Sequence, residues 1–169
     1  IPNTIDPDQL RTAYDNAIGS VKVMLGLLIT TGIRIGEMLA IRWEDINPKD
    51  CTITIHGKGM KDRVVSVPER QMFEIRYAYP RQDPKATLFS TSQFETRCMI
   101  YQALTPYCHA KQLSPHAIRH TFATEMAKAG ESGPAIAIPL GHSNLKTTQH
   151  YIDLAKAAEP CRCQYIKLN

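Results

Sequence analysis

The sequence has no long hydrophobic run. Its longest apolar stretch, Val23 to Ile29, falls far short of the roughly 20 residues that cross a bilayer. No spanning helix is therefore predicted. Ile1-Pro2-Asn3 carries no secretory signal pattern. The chain also opens without Met, so it is expected to be a piece of something longer. Cysteine is sparse: the five residues Cys51, Cys98, Cys108, Cys161 and Cys163 are odd in number and widely scattered. That is no disulfide framework, and it points to a reducing cytoplasm. Metal-site spacing is missing too. Cys161-Arg162-Cys163 has no second Cys/His pair, and His116 and His120 lack the glutamate of an HExxH site. Neither internal repeats nor low-complexity tracts are seen. The excess of positive charge is only +4, which permits a nucleic-acid partner without demanding one.

What is present suits a single domain with a sizeable core, 169 residues long. Asp6-Pro7-Asp8-Gln9 reads as a helix start, with Asp6 as cap. Val21, Met24, Leu25 and Leu28 recur at helical spacing, which predicts a helix over Ser20–Thr31 stopped by Gly32. A third helix follows, carrying Arg34, Glu37, Met38 and Ile41. Asn47 to Asp50 reads as a turn, and Cys51–Ile55 and Arg63–Val67 read as a hairpin or meander joined through Gly57-Lys58-Gly59. Further helices are expected over Pro68–Tyr79, from Ser92 through His109, and from Ser114-Pro115 to near Gly130. A loop covers Pro80 to Pro84. A short segment should run from Gly133-Pro134 to Pro139-Leu140-Gly141, and a last helix over Asn144–Ala158, ended by Pro160. The expected fold is mostly α with a small antiparallel β-sheet.

Six residues stand out by chemistry and order: Arg34, Lys58, His116, Arg119, His142 and Tyr151. Arginine suits a phosphodiester because its planar fork donates two bonds and never deprotonates. Two arginines can clamp the nonbridging oxygens from two sides, and donors of this kind are worth roughly 3–4 kcal/mol each. Read alone, Arg34 is a surface arginine paired with Glu37. His116 and Arg119, at i and i+3, share a helix face; His120 competes with His116 for the base but is expected to face elsewhere and pack. A tyrosine, with a pKa near 10, needs a base or a cationic pocket to act as a nucleophile. A lysine between glycines can protonate a leaving alkoxide, and Lys61 competes with Lys58 for that part. His142 follows Gly141 near an expected helix start, where backbone N–H groups favour anions.

The segments Thr31-Gly32-Ile33-Arg34-Ile35-Gly36-Glu37, Gly57-Lys58-Gly59-Met60-Lys61-Asp62-Arg63, Ser114-Pro115-His116-Ala117-Ile118-Arg119-His120 and Leu140-Gly141-His142-Ser143, with Tyr151 nine residues after His142, resemble the tyrosine recombinases of the phage-integrase family. The resemblance runs from about Thr30 to Ala155. It implies the catalytic-domain fold over residues 1–169, with the separate N-terminal DNA-gripping domain of relatives absent. Tyr151 is then the nucleophile, and the 3′-phosphotyrosyl intermediate needs no cofactor and no metal. Lys58 is the general acid, Lys61 and Arg63 contact the DNA backbone, and Glu37 orients Arg34 from behind. The implied partner is double-stranded DNA at recombination sites. The protein would be a monomer when free and a homotetramer on DNA, with accessory DNA-bending proteins, in a cytoplasmic, nucleoid-associated setting. The C-terminal segment, with Tyr165, Ile166 and Leu168, is expected to dock on a neighbouring protomer. Two other readings stay open: DNA relaxation of the type IB topoisomerase kind, and a catalytically inactive DNA-binding module. Leu140-Gly141-His142 followed by Thr147-Thr148 and Tyr151 favours the recombinase.

Overall fold

The computed structural model describes residues 3–57, 62–78 and 83–141, together with Ile166 and Leu168. Helix α1 (Pro7–Asn16) starts where the sequence places it. Asp6 Oδ1 accepts the backbone N–H groups of Asp8 at 2.7 Å and Gln9 at 3.4 Å. Helix α2 (Gly19–Thr31) is apolar nearly all round, and it is accordingly the central helix. It packs against α1 and against four elements that follow it. Gly32 ends it with φ +68°, its N–H bonded to the Leu28 carbonyl at 3.1 Å.

Helix α3 (Ile35–Leu39) is shorter than expected at its start, because Arg34 is its cap and not a helical residue. The reason is local. The Glu37 carboxylate accepts the Arg34 backbone N–H at 2.9 Å and so closes the first turn behind Ile35. A 3-10 turn, Trp43–Asp45, leads into a three-stranded antiparallel sheet of order β1 (Ile46–Asn47), β2 (Thr52–Ile55), β3 (Arg63–Ser66). Strand β1 was not foreseen; two residues are too few to show alternation. Across β2 and β3, Ile53 faces Val65 and Ile55 faces Arg63. Ile53, Ile55 and Val65 turn into the core, while Val64 is exposed.

Helices α4 (Glu69–Ala78) and α5 (Gln93–Leu104) cover the other sides of α2. Ser92 and Glu95 exchange capping bonds at the start of α5, at 3.1 and 3.4 Å. This helix was expected to reach His109 and stops at Leu104. Pro106 accounts for the early end: it has no N–H to donate, and its ring would strike the carbonyl four residues back. Helix α6 (Pro115–Lys128) begins under a Ser114 cap, and α7 (Gly133–Leu140) ends at Gly141 with φ +68°. The helix expected over Asn144–Ala158 and most of the loop expected over Pro80 to Pro84 lie outside the described residues. Among the described residues, no helix is long and apolar enough to cross a membrane.

Two apolar clusters hold these pieces. The larger gathers α1 to α5, the inner sheet face and the first turn of α6, down to Ala117 and Ile118. The smaller consists of Phe122, Ala123, Met126 and Ala127 of α6 with Ile136 and Leu140 of α7. The two meet on α6, and Arg119 lies at the seam. Ile166 is 7% exposed within this chain's larger core, with Leu168 packed against it.

Candidate active site

Among the described members of the set, Arg119 is the best held. It is 6% exposed, so its five N–H donors need partners inside the protein. Nη1 donates to the Gly32 carbonyl at 2.7 Å and Nη2 to the Leu140 carbonyl at 2.7 Å. The first acceptor belongs to the end of α2 and the second to the end of α7. Arg34, half-exposed on the cap of α3, sends Nη1 to the same Leu140 oxygen at 3.4 Å. Two guanidiniums from separate helices thus converge on one oxygen. That is the arrangement expected of a clamp on an anion.

Behind Arg34 stands Glu37, buried at 8% exposure. Its partner differs from the simple reading of the sequence. Arg63 grips it in a fork, Nη1 to Oε2 at 2.7 Å and Nη2 to Oε1 at 2.9 Å, while the Arg34 guanidinium stands 3.9 Å from Oε2. Burial alone would raise the Glu37 pKa. The two Arg63 bonds, and after them the Arg34 backbone N–H, outweigh it and hold the carboxyl below its ordinary value. Arg63 was expected on the DNA backbone. Its side chain is 9% exposed and turned inward. Strand parity explains this and was visible in the sequence: Arg63 and Val65 are two apart, hence on one face, and Val65 is a core residue.

His116 is exposed, in the first turn of α6, one turn before Arg119. Its Nε2 lies 2.7 Å from Nε2 of His120, with the rings edge to face. His120 therefore does not face elsewhere. Four residues along a helix return the chain to nearly the same side, 40° off, and the expectation overlooked this. One ring nitrogen of the pair donates and the other accepts.

His56, which the sequence reading passed over, closes the hairpin loop that contains Lys58. Its ring bonds Asp45 at 2.7 Å and Asp62 at 2.9 Å. These bonds raise its pKa, the Asp45 bond foremost. Lys58, Lys61, His142 and Tyr151 lie outside the described residues. Three of them adjoin described positions: Lys58 follows Gly57, Lys61 precedes Asp62, and His142 follows Gly141 at the end of α7.

Comparison with known proteins agrees with this frame. The solved structure of the XerH site-specific recombinase bound to difH substrate superposes with a TM-score of 0.76 at 21% identity, over 94% of this chain and 53% of that one. The fold is that of a tyrosine recombinase catalytic domain. The Phage integrase family model matches residues 3–158, and the chain belongs to that family. The tyrosine recombinase XerD of Haemophilus ducreyi is 31% identical over 169 residues, 92% of this chain and 54% of that protein. XerA of Pyrococcus horikoshii is 35% identical over 163 residues, 89% of this chain and 56% of that protein. The chain thus spans about half the length of the relatives it matches.

Proposed function

We propose that this chain is the catalytic part of a site-specific DNA recombinase that cuts and rejoins double-stranded DNA through a 3′-phosphotyrosyl intermediate. One observation carries the reading: Arg34 and Arg119 converge on a single oxygen at the end of the helix that leads to His142. In the proposed cycle the Tyr151 oxygen attacks the scissile phosphorus, and the bond to the 5′ oxygen breaks. Arg34 and Arg119 donate to the nonbridging oxygens, whose charge grows in the transition state. His142 adds a further donor. His116 takes the tyrosine proton, and Lys58 gives one to the departing 5′ oxygen. Rejoining reverses these steps with a 5′ hydroxyl from a partner strand. One ester replaces another, so no energy source is needed.

Glu37 orients Arg34 from behind, and Lys61 contacts the DNA backbone. The assembly on DNA is a homotetramer spanning two sites, formed from free monomers and helped by DNA-bending proteins. The working place is the cytoplasm, on the nucleoid. Affinity for duplex DNA rests largely on phosphate contacts and is therefore steeply salt-dependent.

The test is covalent trapping on nicked DNA from the flanks of the native gene or element, in EDTA, with the 5′ fragment free to diffuse away. The expected result is an SDS-stable protein–DNA adduct that Tyr151→Phe abolishes. An adduct that survives Tyr151→Phe moves the nucleophile elsewhere. Binding without any adduct, on every substrate, favours the DNA-binding module.

A further inference from the structure

We infer that Arg63 is a positioning residue of the cleavage site, acting through Glu37 and the Gly141 turn, and not a contact to DNA; this rests on the proposed phosphotyrosyl reading. Three observations converge on its guanidinium. It holds Glu37 in a two-bond fork at 2.7 and 2.9 Å, with both side chains under 10% exposed. The Glu37 oxygen that it fixes, Oε1, is also the one that accepts the Arg34 backbone N–H at 2.9 Å. The cap of α3, and with it the origin of the Arg34 side chain, is thereby tied to β3. On its other side the guanidinium lies flat against Gly141. A Cβ built there would stand 2.7 Å from Nη1 and 2.9 Å from Cζ of Arg63. The residue before Gly141 supplies the carbonyl shared by Arg119 and Arg34, and the residue after it is His142.

One planar group thus joins three chain segments that share no local sequence: β3 after the Lys58 loop, the start of α3, and the end of α7. Lysine cannot replace it in kind, because an ammonium has neither the fork nor the flat face. The arrangement also gives Gly141 a packing reason beyond its left-handed backbone.

Two readouts separate positioning from DNA contact. The first is the slope of log affinity against log salt for nicked duplex. A lost phosphate contact reduces it by about 0.9, whereas an interior residue leaves it unchanged. The second is the single-turnover rate of adduct formation at saturating protein, corrected for the folded fraction by thermal unfolding. A displaced catalytic group costs on the order of a hundredfold. We expect Arg63→Gln to keep the slope and lose roughly that much rate, with Arg63→Lys recovering part of it. Gly141→Ala presses on the guanidinium from the other side and should also lose rate at constant slope. It serves in addition if Arg63→Gln folds poorly. A reduced slope with an unchanged rate on bound DNA would overturn the inference, as would variants equal to the parent in both readouts. Failure of the phosphotyrosyl reading itself shows in the unsubstituted chain, as absence of a Tyr151-dependent adduct.

Discussion

The larger core and the smaller one differ in what rests on them. The larger is deep and redundant: α2 is surrounded on several sides, and Met24, Leu25, Leu27, Leu28 and Ile29 are all at 1% exposure or less. The smaller is a handful of residues between α6 and α7, yet Leu140 belongs to it, and its carbonyl carries both arginines. Arg119 bridges the two, with one bond to Gly32 at the edge of the first and one to Leu140 in the second. Stability is therefore stored mainly in one region, and site geometry is set mainly by the other.

A pair of truncations tests that division most strongly. Leu28→Ala and Ile136→Ala should each cost about 2–5 kcal/mol in denaturant unfolding. Only Ile136→Ala should also slow adduct formation per folded molecule, because it loosens α7 under Leu140. Equal rates in both variants would erase the distinction. A smaller but sharper effect is expected from Gly32→Ala. Its Cβ would stand 2.4 Å from Phe122 Cδ1 and 2.7 Å from Leu140 Cδ2, on a backbone with φ +68°. Overpacking of that kind costs about 1–3 kcal/mol, and the rate should fall by more than the lost stability explains, since the Gly32 carbonyl is an Arg119 acceptor. Circular dichroism melts and trapping assays on the same preparations check this.

The smallest effect concerns the edge of the larger region. The His56 pKa is raised in the fold, so the stability from its bonds to Asp45 and Asp62 is full below about pH 6.5. It is lost as pH rises through the higher folded value. The melting temperature of His56→Asn should accordingly differ most from the parent at acid pH and converge with it at alkaline pH. Glu37, whose pKa is depressed, has the opposite sign. Its contribution is present above the ordinary carboxylate value and fades as pH falls through the folded one.

The fold was legible where local rules govern. Asp6, Ser92 and Ser114 cap the helices they were expected to cap, and Gly32 and Gly141 end theirs in the left-handed region. It was less legible where a single residue overrules a pattern, as Pro106 does in α5. In the site, residue types and order pointed to Arg34 and Arg119, and the structure brings them to one oxygen. Two orientations were contained in the sequence and not drawn from it. Arg63 follows the two-residue period of its strand onto the inner face, where it meets Glu37, and His120 follows the helical period to His116. The larger lesson is that charge suggests an outward residue, but periodicity decides. The identity of the Glu37 partner was not legible at all, because 26 residues separate it from Arg63 and only the tertiary fold brings the two side chains within reach of each other.

The shared carbonyl of Leu140 is held unequally by its two donors. Arg119 is fixed by two short bonds, while Arg34 keeps one long bond and a 3.9 Å ion pair to Glu37 from a half-exposed position. In the proposed cycle this makes the two arginines unequal in time. Arg34 is then the arm that swings to the incoming phosphate, and Arg119 the fixed jaw that it closes against.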